Sequence, residues 1–156
     1  MFAVCFGRRF SVIYKQCEAV VRLNERKVSG DRVTLQESGE MYLETIYILQ
    51  QSNKAVRSID ICSEMGFSKP SVSRAVNKLK NEDYIEIDEK GLITLTKTGL
   101  SIAKKIYEKH TVITKMLISL GIDKKTAAMD ACRIEHVVSD KTFRAIKKYL
   151  KNMEEE

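Results

Sequence analysis

The apolar positions of this chain follow a helical period, switch to a period of two, and then return to the helical one. Leu43, Ile46, Tyr47 and Leu49 recur at three- and four-residue spacing, which predicts a helix over 41–50. Ser52-Asn53-Lys54 reads as a turn. Ser58 then starts a short helix to Met65, which Gly66 ends as a left-handed residue. Ile61 stands where a capping box would need Glu, so the start of this helix is less well marked than its stop. Ser68 is the expected N-cap of the next helix, with Pro70 in the first turn, where a missing N–H costs nothing. Over 71–81, Val72, Ala75, Val76 and Leu79 face inward and leave Ser71, Ser73, Arg74, Asn77 and Lys78 outside. From Tyr84 the period drops to two. Residues 84–88 and 92–96 flank Glu89-Lys90-Gly91, the pattern of a β-hairpin. Lys97-Thr98-Gly99 leads into a long helix over about 100–120, stopped by Gly121. Two further helices follow, over about 124–138 and 140–153, with Ser139 as N-cap of the last.

Helix, short helix, glycine turn, capped helix and hairpin, in that order, predict a winged helix-turn-helix over 37–99. The fold class expected is mainly α with a small β-hairpin wing, followed by a helical domain over 100–156. The outer face of the third helix suits a DNA major groove, which calls for small polar and long basic side chains. Ser71, Ser73, Arg74, Asn77 and Lys78 supply them. Ser68, Lys69 and Pro70 at its start, and Lys90 at the hairpin tip, are the expected backbone contacts. Each polar side chain alone would suit an ordinary solvated face; the ordered succession of elements carries the DNA-binding expectation.

The net charge of +6 points to an anionic partner, but residues 1–36 hold seven Lys/Arg against three Asp/Glu. That leaves 20 basic and 18 acidic residues in 37–156, so any nucleic-acid footprint there must come from local clustering. Residues 1–36 lack a clean period and are expected to be a disordered tail or an unused upstream start. No run of ~18 apolar residues predicts a membrane span. Arg8 and Arg9 follow the apolar start instead of preceding it, against a signal peptide, so a cytoplasmic protein is expected. Cys5, Cys17, Cys62 and Cys132 have no CxxC spacing and are expected to be reduced.

Cys132, Glu135 and His136 fall at i, i+3 and i+4, which on one helix places a thiolate, a carboxylate and an imidazole on one face. Such a mixed donor set suits a divalent transition metal. The two histidines of the chain, His110 and His136, both lie in this half. No Gly-rich loop or nucleophile–base pair accompanies them, so an enzyme is not expected.

Residues 38–152 resemble the metal-dependent repressors of the diphtheria-toxin-repressor family. The resemblance rests on Glu40-Met41-Tyr42-Leu43-Glu44-Thr45-Ile46-Tyr47, Ser68 to Ser73, Leu95 to Gly99, His110, and Ala131 to Ser139. It implies a winged-helix domain, a metal-binding and dimerisation domain, and a homodimer on a pseudo-palindromic operator. The iron-responsive branch implies Met41, Cys132, Glu135 and His136 as ligands; the manganese-responsive branch adds Glu44 and His110. The pocket therefore looks mixed. Thioether and thiolate lean it to Fe²⁺, with Mn²⁺ second. The ancillary site of the iron branch looks incomplete, since Ala128 and Thr114 stand where a His and a Glu are needed. The chain also resembles the short form that lacks an SH3-like domain. The alternatives are a metal-independent winged-helix regulator, a metalloenzyme using His110, Glu135 and His136, and a pure dimerisation module.

Overall fold

The computed structural model describes residues 37–52 and 55–154; the extension over 1–36 and Asn53-Lys54 of the expected turn lie outside the described residues. Among the described residues, six helices and one hairpin follow in order. They are α1 (Glu37–Gln51), α2 (Ser58–Met65), α3 (Lys69–Asn81), β1 (Ile85–Ile87), β2 (Ile93–Leu95), α4 (Lys97–Ser119), α5 (Lys124–Ile134) and α6 (Asp140–Glu154). The chain divides into two compact units, one up to Ala103 and one from Lys104 onward.

In the first unit α1 packs on α2, α3 and β2. Leu43, Ile46, Ile61, Met65, Val72, Val76, Leu79, Ile85 and Ile93 form its core, each contributing on the order of 1.5–3 kcal/mol through burial. Gly66 takes φ 74° and its N–H reaches Cys62 O, ending α2 as its position predicts. α2 starts at Ser58 as expected, but its cap is not Ser58. Arg57 is the N-cap, and its N–H donates to Asp60 Oδ2 at 2.8 Å. A guanidinium has no acceptor, so only the returning half of a capping box is possible there. Tyr42 sits beside Phe67, ring centroids 6.1 Å apart. Burial, with Cys62 adding to it, pushes the Tyr42 phenol up to about 12, so it is neutral at physiological pH.

The hairpin pairs Ile85 with Leu95, Glu86 with Thr94 and Ile87 with Ile93, antiparallel. Asp88 Oδ1 accepts from Lys90 N and Leu92 N, and Gly91, at φ 75°, donates to Asp88 O. β2 is tied to the helical layer at both backbone groups of Ile93. Its N–H donates to Val56 O (2.8 Å), and its carbonyl accepts from Gln50 Nε2 (3.2 Å). Thr96 N-caps α4: Gly99 N donates to its Oγ1 at 3.1 Å. The same hydroxyl lies 2.8 Å from Asp83 O and 3.2 Å from Tyr84 O.

In the second unit Ile113 and Leu117 of α4 pack on Ala127 and Ala131 of α5, with Met116, Ile122, Ile134, Val138 and Ile146 around them. Asp123 caps α5, accepting from Lys125 N and Thr126 N. Ser139 Oγ accepts from Thr142 N at 3.2 Å and caps α6, as expected. No described helix is long and apolar enough to cross a membrane.

Candidate metal centre and DNA-reading face

The face expected to read DNA lies on α3. Lys69, Pro70, Ser73, Arg74, Asn77 and Lys78 are exposed, Ser71 is half-buried, and Val72, Val76 and Leu79 hold the opposite face in the core. Between 69 and 81 there are four cations (Lys69, Arg74, Lys78 and Lys80) and no acid, so this face carries the local positive field that residues 37–156 taken together hardly show. Ser68 holds the N-cap position with extended backbone, yet its hydroxyl does not cap α3. Ser68 Oγ lies 3.0 Å from Ser71 Oγ instead, so the pair forms a small hydroxyl cluster at the helix start. Lys78 Nζ stands 3.9 Å from Glu82 Oε1, an exposed pair one turn apart that contributes little to stability. Lys90 is exposed at the wing tip.

The buried polar and charged side chains among the described residues are Glu44, Thr45, His110, Thr114 and Glu135. A buried carboxylate or imidazole is rare without a partner or an ion, and all three ionisable members are candidate ligands from the sequence. In the first unit Met41 and Glu44 lie one turn apart on α1 and both are buried, while Thr45 Oγ1 donates to Met41 O at 2.9 Å. In the second unit His110 Nδ1 lies 2.7 Å from Glu135 Oε2, and His136 Nε2 lies 3.4 Å from Glu135 Oε1. The side chain of His136 is 8% exposed, and Cys132 is buried.

One local expectation fails. α5 stops at Ile134, so Glu135 and His136 lie in the turn beyond it and not on a continuous helix to 138. The reason is close at hand: Ser139 must leave helical backbone to cap α6, and the chain turns over the preceding residues, with Val137 N donating to Ile134 O. Glu135 keeps helical dihedrals as the C-cap, and its N–H still reaches Ala131 O. The carboxylate is therefore aimed as helix continuation would aim it, and its two oxygens meet the two imidazoles.

These donors fit a divalent ion. Two ligands each about 2.1 Å from a metal stand roughly 3.0 Å apart at an octahedral angle and roughly 3.4 Å apart at a tetrahedral one. The His110–Glu135 and His136–Glu135 separations, 2.7 and 3.4 Å, are close to that range. Carboxylate and imidazole suit first-row divalent metals. Thr114 is a further buried polar residue on α4; in the sequence a threonine among apolar neighbours carries no signal of its own.

A reading helix in a winged domain, followed by a buried carboxylate–imidazole group, defines a regulator that couples metal to DNA. The chain belongs to the iron-dependent repressor family, metal-dependent DNA-binding regulators of transcription. The N-terminal DNA binding domain of that family matches residues 34–93, and its metal binding and dimerisation domain matches residues 96–156. An HTH-type transcriptional regulator of Methanocaldococcus jannaschii is 31% identical over 123 residues, 78% of this chain and 98% of that protein. The diphtheria toxin repressor of Corynebacterium diphtheriae is 30% identical over 120 residues, 76% of this chain and 53% of its own length. The chain thus spans about half of that relative. Among solved structures, the manganese regulator SloR superposes with TM-score 0.66 at 32% identity, over 72% of this chain and 53% of that one. The metal-dependent transcriptional regulator MtsR superposes with TM-score 0.68 at 26% identity, over 75% of this chain and 55% of that one.

Proposed function

We infer that this protein is a repressor that binds a pseudo-palindromic operator as a homodimer when loaded with Fe²⁺, with Mn²⁺ as the second choice of ion. The observation that carries the reading is the buried His110–Glu135–His136 group in a domain that follows a reading helix. His110, Glu135 and His136 are the proposed central ligands. Met41 and Glu44 from α1 and Cys132 from α5 are proposed to complete the set. Thioether and thiolate favour Fe²⁺, while the carboxylates and imidazoles accommodate Mn²⁺.

The ion supplies positive charge and directional bonds that let buried carboxylates stay ionised. The remaining contributions are those of the chain. Met41 and Glu44 sit on the helix that braces the reading domain, so recruiting them as ligands makes the DNA-competent arrangement more stable than its alternatives. Linkage then raises DNA affinity by the ratio of metal affinities in the two states. Ser71, Ser73, Arg74, Asn77 and Lys78 read base edges. Ser68, Lys69, Pro70 and Lys90 position the phosphates.

Fluorescence anisotropy on DNA from upstream of its own gene, under anaerobic reducing conditions, tests the reading. Fe²⁺ or Mn²⁺ is expected to tighten binding at least tenfold, and Glu135→Ala or His136→Ala to remove the stimulation. Equal affinity with and without ion would exclude the metal switch. A stimulation unchanged in both variants would exclude these ligands.

A further inference from the structure

Three threonines on the helices have hydroxyls whose partners can be compared. Thr45 and Thr111 each donate to the carbonyl four residues back, Met41 O and Tyr107 O, both at 2.9 Å. This is the usual way a helical threonine satisfies itself. Thr114 does not do so. Its Oγ1 is buried, and it has no hydrogen-bond partner among the described residues. The residue is only 8% exposed. Buried hydroxyls are satisfied in the large majority of proteins, and an exception calls for a ligand or a function.

Its position names the ligand. Thr114 follows His110 by four residues on α4, so the two share a face about 6 Å apart along the helix. That face is the buried stripe of Ala103, Ile106, His110, Ile113 and Leu117. Across from it, Ala127 and Ala131 of α5 pack on Ile113 and Leu117, and neither side chain has a polar atom. Glu135 is a charged side chain buried beside this stripe, 2.7 Å from His110 Nδ1. A hydroxyl one turn along can donate to, or accept from, an oxygen beyond that pair.

We propose that Thr114 is a positioning residue of the metal centre, its hydroxyl hydrogen-bonding a water carried by the ion at His110 and Glu135. The inference rests on the metal reading above and adds a residue to it. A held water raises the coordination number above the four that Zn²⁺ prefers in closed sites, so Thr114 tunes the centre toward Mn²⁺ and Fe²⁺. Outer hydrogen bonds of this kind typically change metal affinity ~10–100-fold.

The test is an anaerobic Co²⁺ titration of the full chain, followed by visible absorption, alongside thermal melting without metal. Thr114→Val keeps the shape and removes the hydroxyl. It is expected to melt higher than wild type without metal, because a buried orphan is gone. It should also bind Co²⁺ at least tenfold more weakly, with a visible band intensified as the coordination number falls. Thr114→Ser is expected to restore wild-type affinity and spectrum. Wild-type Co²⁺ affinity and spectrum in Thr114→Val would overturn the proposal. If Thr114→Val does not fold, Thr114→Ala against Thr114→Ser decides in the same way. A wild type that binds no Co²⁺ would instead bring down the metal reading itself, which keeps the two failures apart.

Discussion

Gly99 offers a test in which local propensity and tertiary geometry predict opposite signs. It lies in the first turn of α4, and a Cβ added there would stand 2.0 Å from the carbonyl oxygen of Tyr84. Carbon–oxygen contacts close no nearer than about 3.3 Å, so the carbonyl would have to recede by roughly 1.3 Å. That carbonyl accepts from Thr96 N at 3.1 Å and lies 3.2 Å from Thr96 Oγ1. Receding loosens both contacts at the junction of the wing and α4. Helix propensity alone credits Gly99→Ala with a gain of about 1 kcal/mol. Against this stand overpacking of about 1–3 kcal/mol and about 1 kcal/mol for each hydrogen bond weakened. The balance is a loss of roughly 2–4 kcal/mol, or a fall in Tm of roughly 10 °C or more for a unit of this size. Urea unfolding followed by far-UV circular dichroism measures it, with Ser101→Ala in the same helix as an exposed control. A Gly99→Ala protein as stable as wild type, or more so, would refute the reasoning.

Ile113, fully buried in the second core, is expected to lose about 2–5 kcal/mol on change to Ala in the same urea assay. Hydrogen bonds from Thr126, side chain first and then backbone, hold the Asp123 carboxyl below its ordinary range. The folded value is thus the lower one, so its contribution is present above about pH 4, the ordinary carboxyl range, and fades as pH falls through the folded value. Asp123→Asn should keep the cap and flatten that acid limb in pH-dependent melting; an unchanged limb would show that another group causes it. Arg74→Ala should weaken operator binding by about 1–3 kcal/mol and relax base preference at one position, whereas Lys69→Ala should weaken all sequences alike and lower the salt slope by about one. Anisotropy across a salt series distinguishes the two, and identical behaviour would reject the division into reading and positioning residues.

Much of the fold was legible because its punctuation is local. Gly66 and Ser139 end or begin helices at the residues expected, and the helical stripe of α3 faces the core as the spacing predicts. Where the sequence misled, the deciding partner was a side chain or backbone group whose choice depends on folding. Arg57 became an N-cap through Asp60, which no cap preference would suggest. Ser68 chose Ser71 over the helix backbone. α5 ended early because the following cap needed extended chain. At the candidate site, residue types and order pointed to His110, Glu135 and His136, but their mutual distances and the orphaned hydroxyl of Thr114 could be read only from tertiary packing.

The turn between β1 and β2 has already committed its amides: those of residues 90 and 92 go to the Asp88 carboxylate, and that of Gly91 to the Asp88 carbonyl. A phosphate arriving at this tip finds the amides of residues 90 to 92 already taken and would meet the exposed ammonium of Lys90. The wing is consequently a preshaped finger. If Lys90 meets DNA as proposed, the wing would add grip without an ordering penalty, and its share of the grip should fade with rising ionic strength and be indifferent to sequence.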